Sequence, residues 1–466
     1  MSSLTTRFTS AGLFLFMVFW AADARAIPSW SRKYQTSCST CHAAYPKLNY
    51  FGKAFRNNGY RFPADLEETA TKETPVSLGS EGYKKLFPRA LWPSHLPGNV
   101  PLAVRGILRA NSFEDGTADS FEFPHEFELL GGGTLGETFS YFAEVEIENE
   151  SNENEFGMVL ALQYDPRPGL HLRVGTVRPH PIADGQRLTA AHPNPYDTRT
   201  TPSSLTLRVP NPNRTTPTLA IAASTGEDRW RFRDDQAGVE LWGARNGAKG
   251  NGGLTWSLGI VNGQGLGDAN SDKDLFARVA YKFGGYGELG GGESPQTTEF
   301  WRDDSFKVGL FAYQGASTNN YEGSVAVLSG APGSGLVQVS AATAVENDFD
   351  LTGVEFDWWL KDLNLFGLYL QQSDDNPRGT GESIDTDAWF VEANYTALPW
   401  LIGVLRYGQT KQDFAVRPDP KDQEFLVPAV VVMARANVKF TLEAQMRIDD
   451  PGKGHDRYVL GIDFAF

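Results

Sequence analysis

The chain has 466 residues, a net charge of −15 and a mean hydropathy of −0.35, with 12% aromatic residues and 48 glycines. Its 41% hydrophobic content is too high for a disordered chain, and its acidity argues against nucleic acid, which takes a basic face. No segment offers the ~20 consecutive apolar residues of a membrane-spanning helix.

In chain order, the first feature is a leader. Arg7 precedes the apolar run AGLFLFMVFWAA at residues 11–22, and Ala24-Arg25-Ala26 puts small residues where a signal peptidase reads them. The run is too short to remain in a membrane, so a signal peptide over 1–26, cleaved after Ala26, is expected.

Residues 27–99 form the second unit. The stretch SCSTCHAAYPKLNYFGKAFRNNGY (37–60) holds both cysteines of the chain, and Cys38-Ser39-Thr40-Cys41-His42 fits C-x-x-C-H, the attachment signature of c-type haem. The spacing has a chemical cause. Two thiols three apart reach the two vinyl groups of one porphyrin, and the next residue brings its imidazole to the iron as proximal ligand. A thioredoxin-like pair would need a surrounding βαβ pattern, and a zinc site would need two more nearby ligands, whereas the next histidine is His95. A disulfide-closed plug without haem is a further alternative.

Behind the motif, Tyr45, Leu48, Gly52 and Phe55 follow helical spacing, and Asn57-Asn58-Gly59 supplies a stop. Gly52 is expected either to let the macrocycle approach the backbone or simply to serve helix packing. Trp30, Tyr34, Phe51, Tyr60 and Phe62 supply apolar cover. The sixth iron position lacks an obvious methionine, because none occurs between residues 27 and 157. His95 is the expected distal ligand, with His125, His180, His192, a lysine or an open position as alternatives.

Residues 100–466 alternate with period two in pieces of about ten residues. In VKFTLEAQMRI (438–448), Val438, Phe440, Leu442, Ala444, Met446 and Ile448 share one face, and Lys439, Thr441, Glu443, Gln445 and Arg447 the other. Sixteen such segments are expected: 100–112, 120–130, 137–148, 157–165, 170–178, 236–244, 253–263, 275–283, 304–314, 348–361, 363–373, 385–397, 400–410, 427–435, 438–448 and 457–466. Connectors alternate between short ones, such as GGGTLGE, DPRPG and the break at 435–437, and longer polar ones at 149–156, 179–235, 315–347, 374–384 and 411–426. The last segment ends on Phe466 with Tyr458, Leu460, Ile462 and Phe464 alternating back, as in terminal strands of outer-membrane barrels.

The predicted fold is therefore all-β: a transmembrane antiparallel barrel of about sixteen strands behind a small, mainly helical haem unit. Its lumen side should carry Arg105, Arg109, Glu122, Glu126, Glu128, Ser140, Phe142, Glu144, Glu146 and Glu148, read either as a solvated wall with paired charges or as a path that attracts cations. The 179–235 connector, with His180, His192 and arginines 187, 199, 208, 214, 229, 231 and 233, is placed like a constriction loop; Leu219–Ala223 within it could be another strand. Asp348, Asp350, Asp374, Asp375, Asp449 and Asp450 are carboxylates at loops or strand ends, suited to hard cations or to plain solubility.

Leader, C-x-x-C-H and barrel together resemble the fused cytochrome–porin family, whose best-known members are outer-membrane cytochromes of bacteria that oxidise ferrous iron outside the cell. The resemblance covers the whole architecture, and it carries over Cys38, Cys41 and His42. It implies location in the outer membrane, contact with its lipid, one covalent haem c and electron transfer from Fe(II), or another extracellular donor, to a periplasmic c-type cytochrome. An Fe(II):cytochrome c oxidoreductase activity would follow. The alternatives are outward electron transfer and a solute porin whose haem unit is a plug or sensor.

Overall fold

A computed structural model describes residues 29–466 apart from 80, 93–95, 114–118, 151–152, 179–187, 190–234, 264–265, 268–269, 293–298, 322–324, 328–335, 339–342, 377–382, 415–422 and 450–455. The expected leader (1–26), His95, His180, His192, Asp450 and the seven arginines of the long connector lie outside the described residues.

Sixteen antiparallel strands close into one barrel. They are β3 (Leu102–Phe113), β4 (Ser120–Leu135), β5 (Phe139–Glu150), β6 (Glu153–Arg167), β7 (Leu170–Val177), β8 (Gln236–Asn246), β9 (Gly253–Val261), β10 (Asp274–Gly284), β11 (Ser305–Tyr321), β14 (Thr343–Leu360), β15 (Leu363–Asp374), β16 (Ile384–Leu398), β17 (Leu401–Phe414), β18 (Gln423–Arg435), β19 (Val438–Arg447) and β20 (Arg457–Ala465). A short hairpin, β12 (Val325–Val327) with β13 (Leu336–Gln338), stands in the β11–β14 connector. Closure comes from β20 pairing with β3, from Arg457 opposite Phe113 to Ala465 opposite Arg105. That contact removes the free edge that β20 would otherwise expose.

The alternation has a simple cause: one side of each strand meets lipid and the other meets the lumen. Phe121, Leu160, Met158, Leu310, Leu405, Leu442 and Tyr458 are exposed on the outside, forming an apolar belt. On β19 the opposite residues Lys439, Thr441 and Glu443 are buried inward. The lumen is less uniformly polar than expected. Phe311, Tyr313, Phe349, Leu351, Phe366 and Phe390 form a buried apolar cluster on its wall.

Two connector readings are corrected. GGGTLGE is not mainly a turn, since β4 runs through Gly131–Gly133 to Leu135. The polar stretch 149–156 is not a long loop either, because β5 continues to Glu150 and β6 starts at Glu153. Strand extensions beyond the lipid need no apolar outer face, so their composition resembles that of a loop.

The N-terminal unit comprises α1 (Ser29–Tyr34), a 3-10 turn (Cys38–Thr40), the ribbon β1 (His42–Ala44) with β2 (Lys47–Leu48), and α2 (Tyr50–Asn57). Two short helices follow, α3 (Glu67–Ala70) and α4 (Glu81–Leu86). The helical spacing proposed from Tyr45 onward holds only from Tyr50. Asn49 caps that helix, and Asn58 with Gly59 (φ +66°) ends it.

Candidate functional site

Residues 30–62 occupy the lumen at the barrel end that carries the short turns. Lys53 pairs with Asp357 at 2.6 Å, and Lys47 Nζ donates to Asn364 Oδ1, both beside the β14–β15 turn. Arg61 meets Asp165 at 3.0 Å and donates to the carbonyls of Gly136 and Phe139. Asn57 donates to Glu288 through both its carbonyl and its carboxylate, while the Asn57 carbonyl accepts from His171 Nε2 at 2.9 Å. His171 is fully buried, stacks on Trp242 and holds Asp165 through Nδ1 at 2.6 Å. Lys439 donates to the Tyr45 carbonyl, and the Arg105 guanidinium covers the Tyr45 ring. Charges from opposite walls thus clasp one small unit across the pore.

A limb of the long β7–β8 connector reaches the same place. Leu188 is buried in one cluster with Ala44, Ile402, Val404, Ala429 and Val431, and Thr189 accepts from Arg406. Met433 packs on that cluster, so it faces the lumen, whereas Met158 faces outward.

Within the unit, local bonds shape the C-x-x-C-H segment. Ser37 caps the 3-10 turn by accepting from the Ser39 amide, and the Cys41 amide returns to the Cys38 carbonyl at 3.1 Å. Asn49 is the organising residue that motif reading missed. Its Nδ2 donates to the Ser39 and Thr40 carbonyls, its Oδ1 accepts from the Gly52 amide, and its own amide bonds the Cys41 carbonyl. An asparagine before an apolar-periodic run is the sequence signal for such a cap. A Cβ at Gly52 would stand 2.1 Å from the Cys41 carbonyl oxygen. Gly52 is therefore glycine because α2 packs directly on the motif backbone, which is the helix-packing reading of that position.

Cys38 and Cys41 are free thiols, half-buried, and burial raises both, Cys41 to about 12. His42, on the β1 ribbon of the N-terminal unit, is half-buried, and burial pushes its imidazole down to about 4, so it is neutral at pH 7. Its Nδ1 lies 3.0 Å from the Pro46 carbonyl. A carbonyl only accepts, so Nδ1 carries the proton and Nε2 keeps the lone pair. That is the arrangement by which metal-ligating histidines are fixed. Two free thiols and a neutral, oriented imidazole fit a haem that would be attached by thioether bonds to its vinyl groups and ligated at its iron by the imidazole.

The predicted aromatic cover forms its own core. Trp30 stacks on Tyr60 (5.2 Å), Tyr34 meets Phe55 and Phe62, and Phe51 meets Phe62. Tyr34 also donates to Glu67, which takes a further bond from Lys33. Beside the unit lies a cavity of about 380 Å³ bounded by Lys53, Arg56, Arg173, Glu240 and Arg278.

The predicted lumenal charges converge on the wall of β3, β4 and β5. Arg105 bridges Glu128 and Asp463, with Glu126 at 3.4 Å. By contrast, the loop and strand-end aspartates are dispersed: Asp348 and Asp350 are exposed, Asp374 is buried against Asn347, and Asp449 pairs with Arg447.

No protein-family model matches the chain, and no curated protein sequence matches it. Among solved structures it is similar to OmpT of Vibrio cholerae, as its loop-L8 deletion mutant (TM-score 0.46, 11% identity, covering 78% of this chain and 98% of that one). It is also similar to an anion-selective porin from Comamonas acidovorans (TM-score 0.43, 11% identity, 78% and 98%). A third is the outer-membrane channel DcaP of Acinetobacter baumannii (TM-score 0.40, 11% identity, 78% and 96%). The chain is a porin-like barrel of the outer-membrane type; the closed sixteen-strand sheet with its apolar belt carries that statement.

Proposed function

We propose that the chain is an outer-membrane electron-transfer protein. It would carry electrons between an extracellular donor, Fe(II) as substrate, and a periplasmic c-type cytochrome, through one covalent haem c. Cys38 and Cys41 would hold the macrocycle by thioether bonds, and His42 would be the proximal ligand. The observation that supports this reading is the His42–Pro46 hydrogen bond, which engages Nδ1 and leaves Nε2 as the nitrogen that could take a metal. When bound, the group supplies a one-electron iron couple. The residues of the chain do the rest. Asn49 and Gly52 seat the motif on α2, and the aromatic core excludes water from one side. Lys47, Lys53, Asn57 and Arg61 fix the unit in the pore, across a wall whose hydrocarbon span is roughly 25–30 Å.

The test is a reduced-minus-oxidised spectrum of the detergent-purified protein, repeated anaerobically with Fe²⁺ as reductant. Soret and α bands that appear with Fe²⁺ support the proposal. A haem-loaded protein that dithionite reduces and Fe²⁺ does not would rule out iron as donor. A second reading, a solute porin plugged by the haem unit, draws on the barrel fold and on the polar cavity beside the unit. Bilayer conductance equal in wild type and Cys38→Ala would favour it.

A further inference from the structure

We infer that the lumen holds a binding site for a first-row divalent cation at His125, Glu126 and Glu148, on the β4–β5 wall. The ligand-capable atoms of these three side chains lie within 4.8 Å of one another. Ligands at roughly 2.1 Å from a shared ion stand up to about 4 Å apart, so modest side-chain rotation closes the set. Glu146 extends it, grouped with Glu126 and Glu128 in the same way.

Three further features point to a ligand. First, His125 is 3% exposed, and neither ring nitrogen makes a hydrogen bond, although Glu122 and Glu148 carboxylates stand 2.9 and 3.1 Å away. A buried imidazole facing carboxylates off the hydrogen-bond line is costly unless something else engages it. Second, Glu126 stands directly opposite Glu148 in the ladder, and Glu128 opposite Glu146. Like charges so placed destabilise a sheet, and a cation between them reverses the sign. Arg105 divides its charge among Glu128, Asp463 and, at 3.4 Å, Glu126, and Arg109 is the other arginine beside these carboxylates. Third, the backbone is arranged to build the set. Between the pairs Ile107–Glu126 and Arg109–Glu122 the register shifts, so Phe123, Pro124 and His125 bulge, and His125 and Glu126 both turn inward. Bulges re-aim side chains in this manner.

Mixed imidazole and carboxylate donors suit Fe²⁺, Mn²⁺, Co²⁺ or Zn²⁺ over Ca²⁺. The site lies five residues into β4 from its long-connector end, between that mouth and the N-terminal unit. Glu126 contacts Arg105 at 3.4 Å, the Arg105 guanidinium covers Tyr45 at 5.2 Å, and Tyr45 stands 5.1 Å from the His42 ring. Two side chains, Arg105 and Tyr45, thus lie between the cation ligand Glu126 and the expected iron ligand His42. That the cation is the electron donor rests on the proposed function; the site itself does not.

The experiment titrates Mn²⁺ into the full-length, detergent-purified protein and counts free Mn²⁺ by room-temperature electron paramagnetic resonance. Wild type and the distant variant Asp385→Asn should bind one Mn²⁺ per chain. His125→Gln and Glu148→Gln should bind it about tenfold or more weakly, with the heat-modifiable mobility of a folded barrel retained. On wild type alone, Zn²⁺ should displace Mn²⁺ and Ca²⁺ should not. Absence of bound Mn²⁺ in wild type, unchanged titrations in both variants, or displacement by Ca²⁺ as readily as by Zn²⁺ overturns the site. Mn²⁺ binding by a protein without haem bands upholds the site while refuting the electron-transfer reading. Fe²⁺-driven reduction without Mn²⁺ binding does the reverse.

Discussion

Gly52→Ala probes whether α2 must lie against the C-x-x-C-H backbone. The added Cβ would sit 2.1 Å from the Cys41 carbonyl oxygen and 2.9 Å from its carbon. Ordinary contact starts near 3.4 Å, so helix and motif must separate by roughly 1 Å, and a backbone atom cannot swing aside as a side chain would. Overpacking of this kind costs about 1–3 kcal/mol, and alanine recovers up to ~1 kcal/mol in helix propensity. A net loss of about 1–2 kcal/mol raises the detached population roughly 5–30-fold. The assay is protease cleavage within 29–62, together with the covalent haem per chain that the proposed function requires, by alkaline pyridine spectrum. Haem content should fall and cleavage rise. Gly403→Ala, where an added Cβ meets nothing within 4 Å, should change neither. Wild-type loading and protection in Gly52→Ala would refute the packing argument.

Other predictions follow from the same contacts. Asn49→Ala removes the cap and two bonds to motif carbonyls, a loss of roughly 2–4 kcal/mol; Asn49→Asp keeps the acceptor but not the donors, and equal haem content in all three proteins would count against a positioning role. Deleting residues 29–66 leaves every barrel strand in place, so conductance in planar bilayers should rise; an unchanged value would mean that the unit does not obstruct the pore. Burial alone would raise the Glu288 carboxyl, but Lys307 (2.8 Å) and Lys282 outweigh it and hold it at about 2. Its folded value lies below its ordinary 4.5, so its contribution, on the order of 3 kcal/mol, is complete above pH 4.5 and is lost as the pH falls towards 2. Protease access to residues 29–62 should therefore increase across that window, and less so in Glu288→Gln, which starts partly released; no difference between the two proteins would exclude Glu288 as the acid-sensitive tether.

Much of this protein was legible without a structure. All sixteen barrel strands stand where alternation placed them, because lipid on one face and lumen on the other impose period two on any sequence that survives there. The inward direction of Arg105, Arg109, Glu126, Glu128 and Ser140 followed from the same rule. The C-x-x-C-H spacing is likewise local, being a run of five adjacent residues. Period two fails where lipid ends, which is why 149–156 resembled a loop and became strand. It also fails at a bulge. Strict alternation from Glu126 sends residue 125 outward, yet His125 turns inward because β4 carries extra residues against β3. Asn49, Asn57 and Arg61 read as ordinary polar residues of a small helical unit, and their partners lie up to 231 positions away. The pairing of Tyr45 with Arg105 and the descent of Leu188 to Ala44 are contacts of the same long-range kind. Local chemistry thus determined the strands, their faces and the C-x-x-C-H segment. Only closure of the barrel around the N-terminal unit decided which charges clasp it and which carboxylates meet His125, because those neighbours are set by register and curvature rather than by any run of adjacent residues.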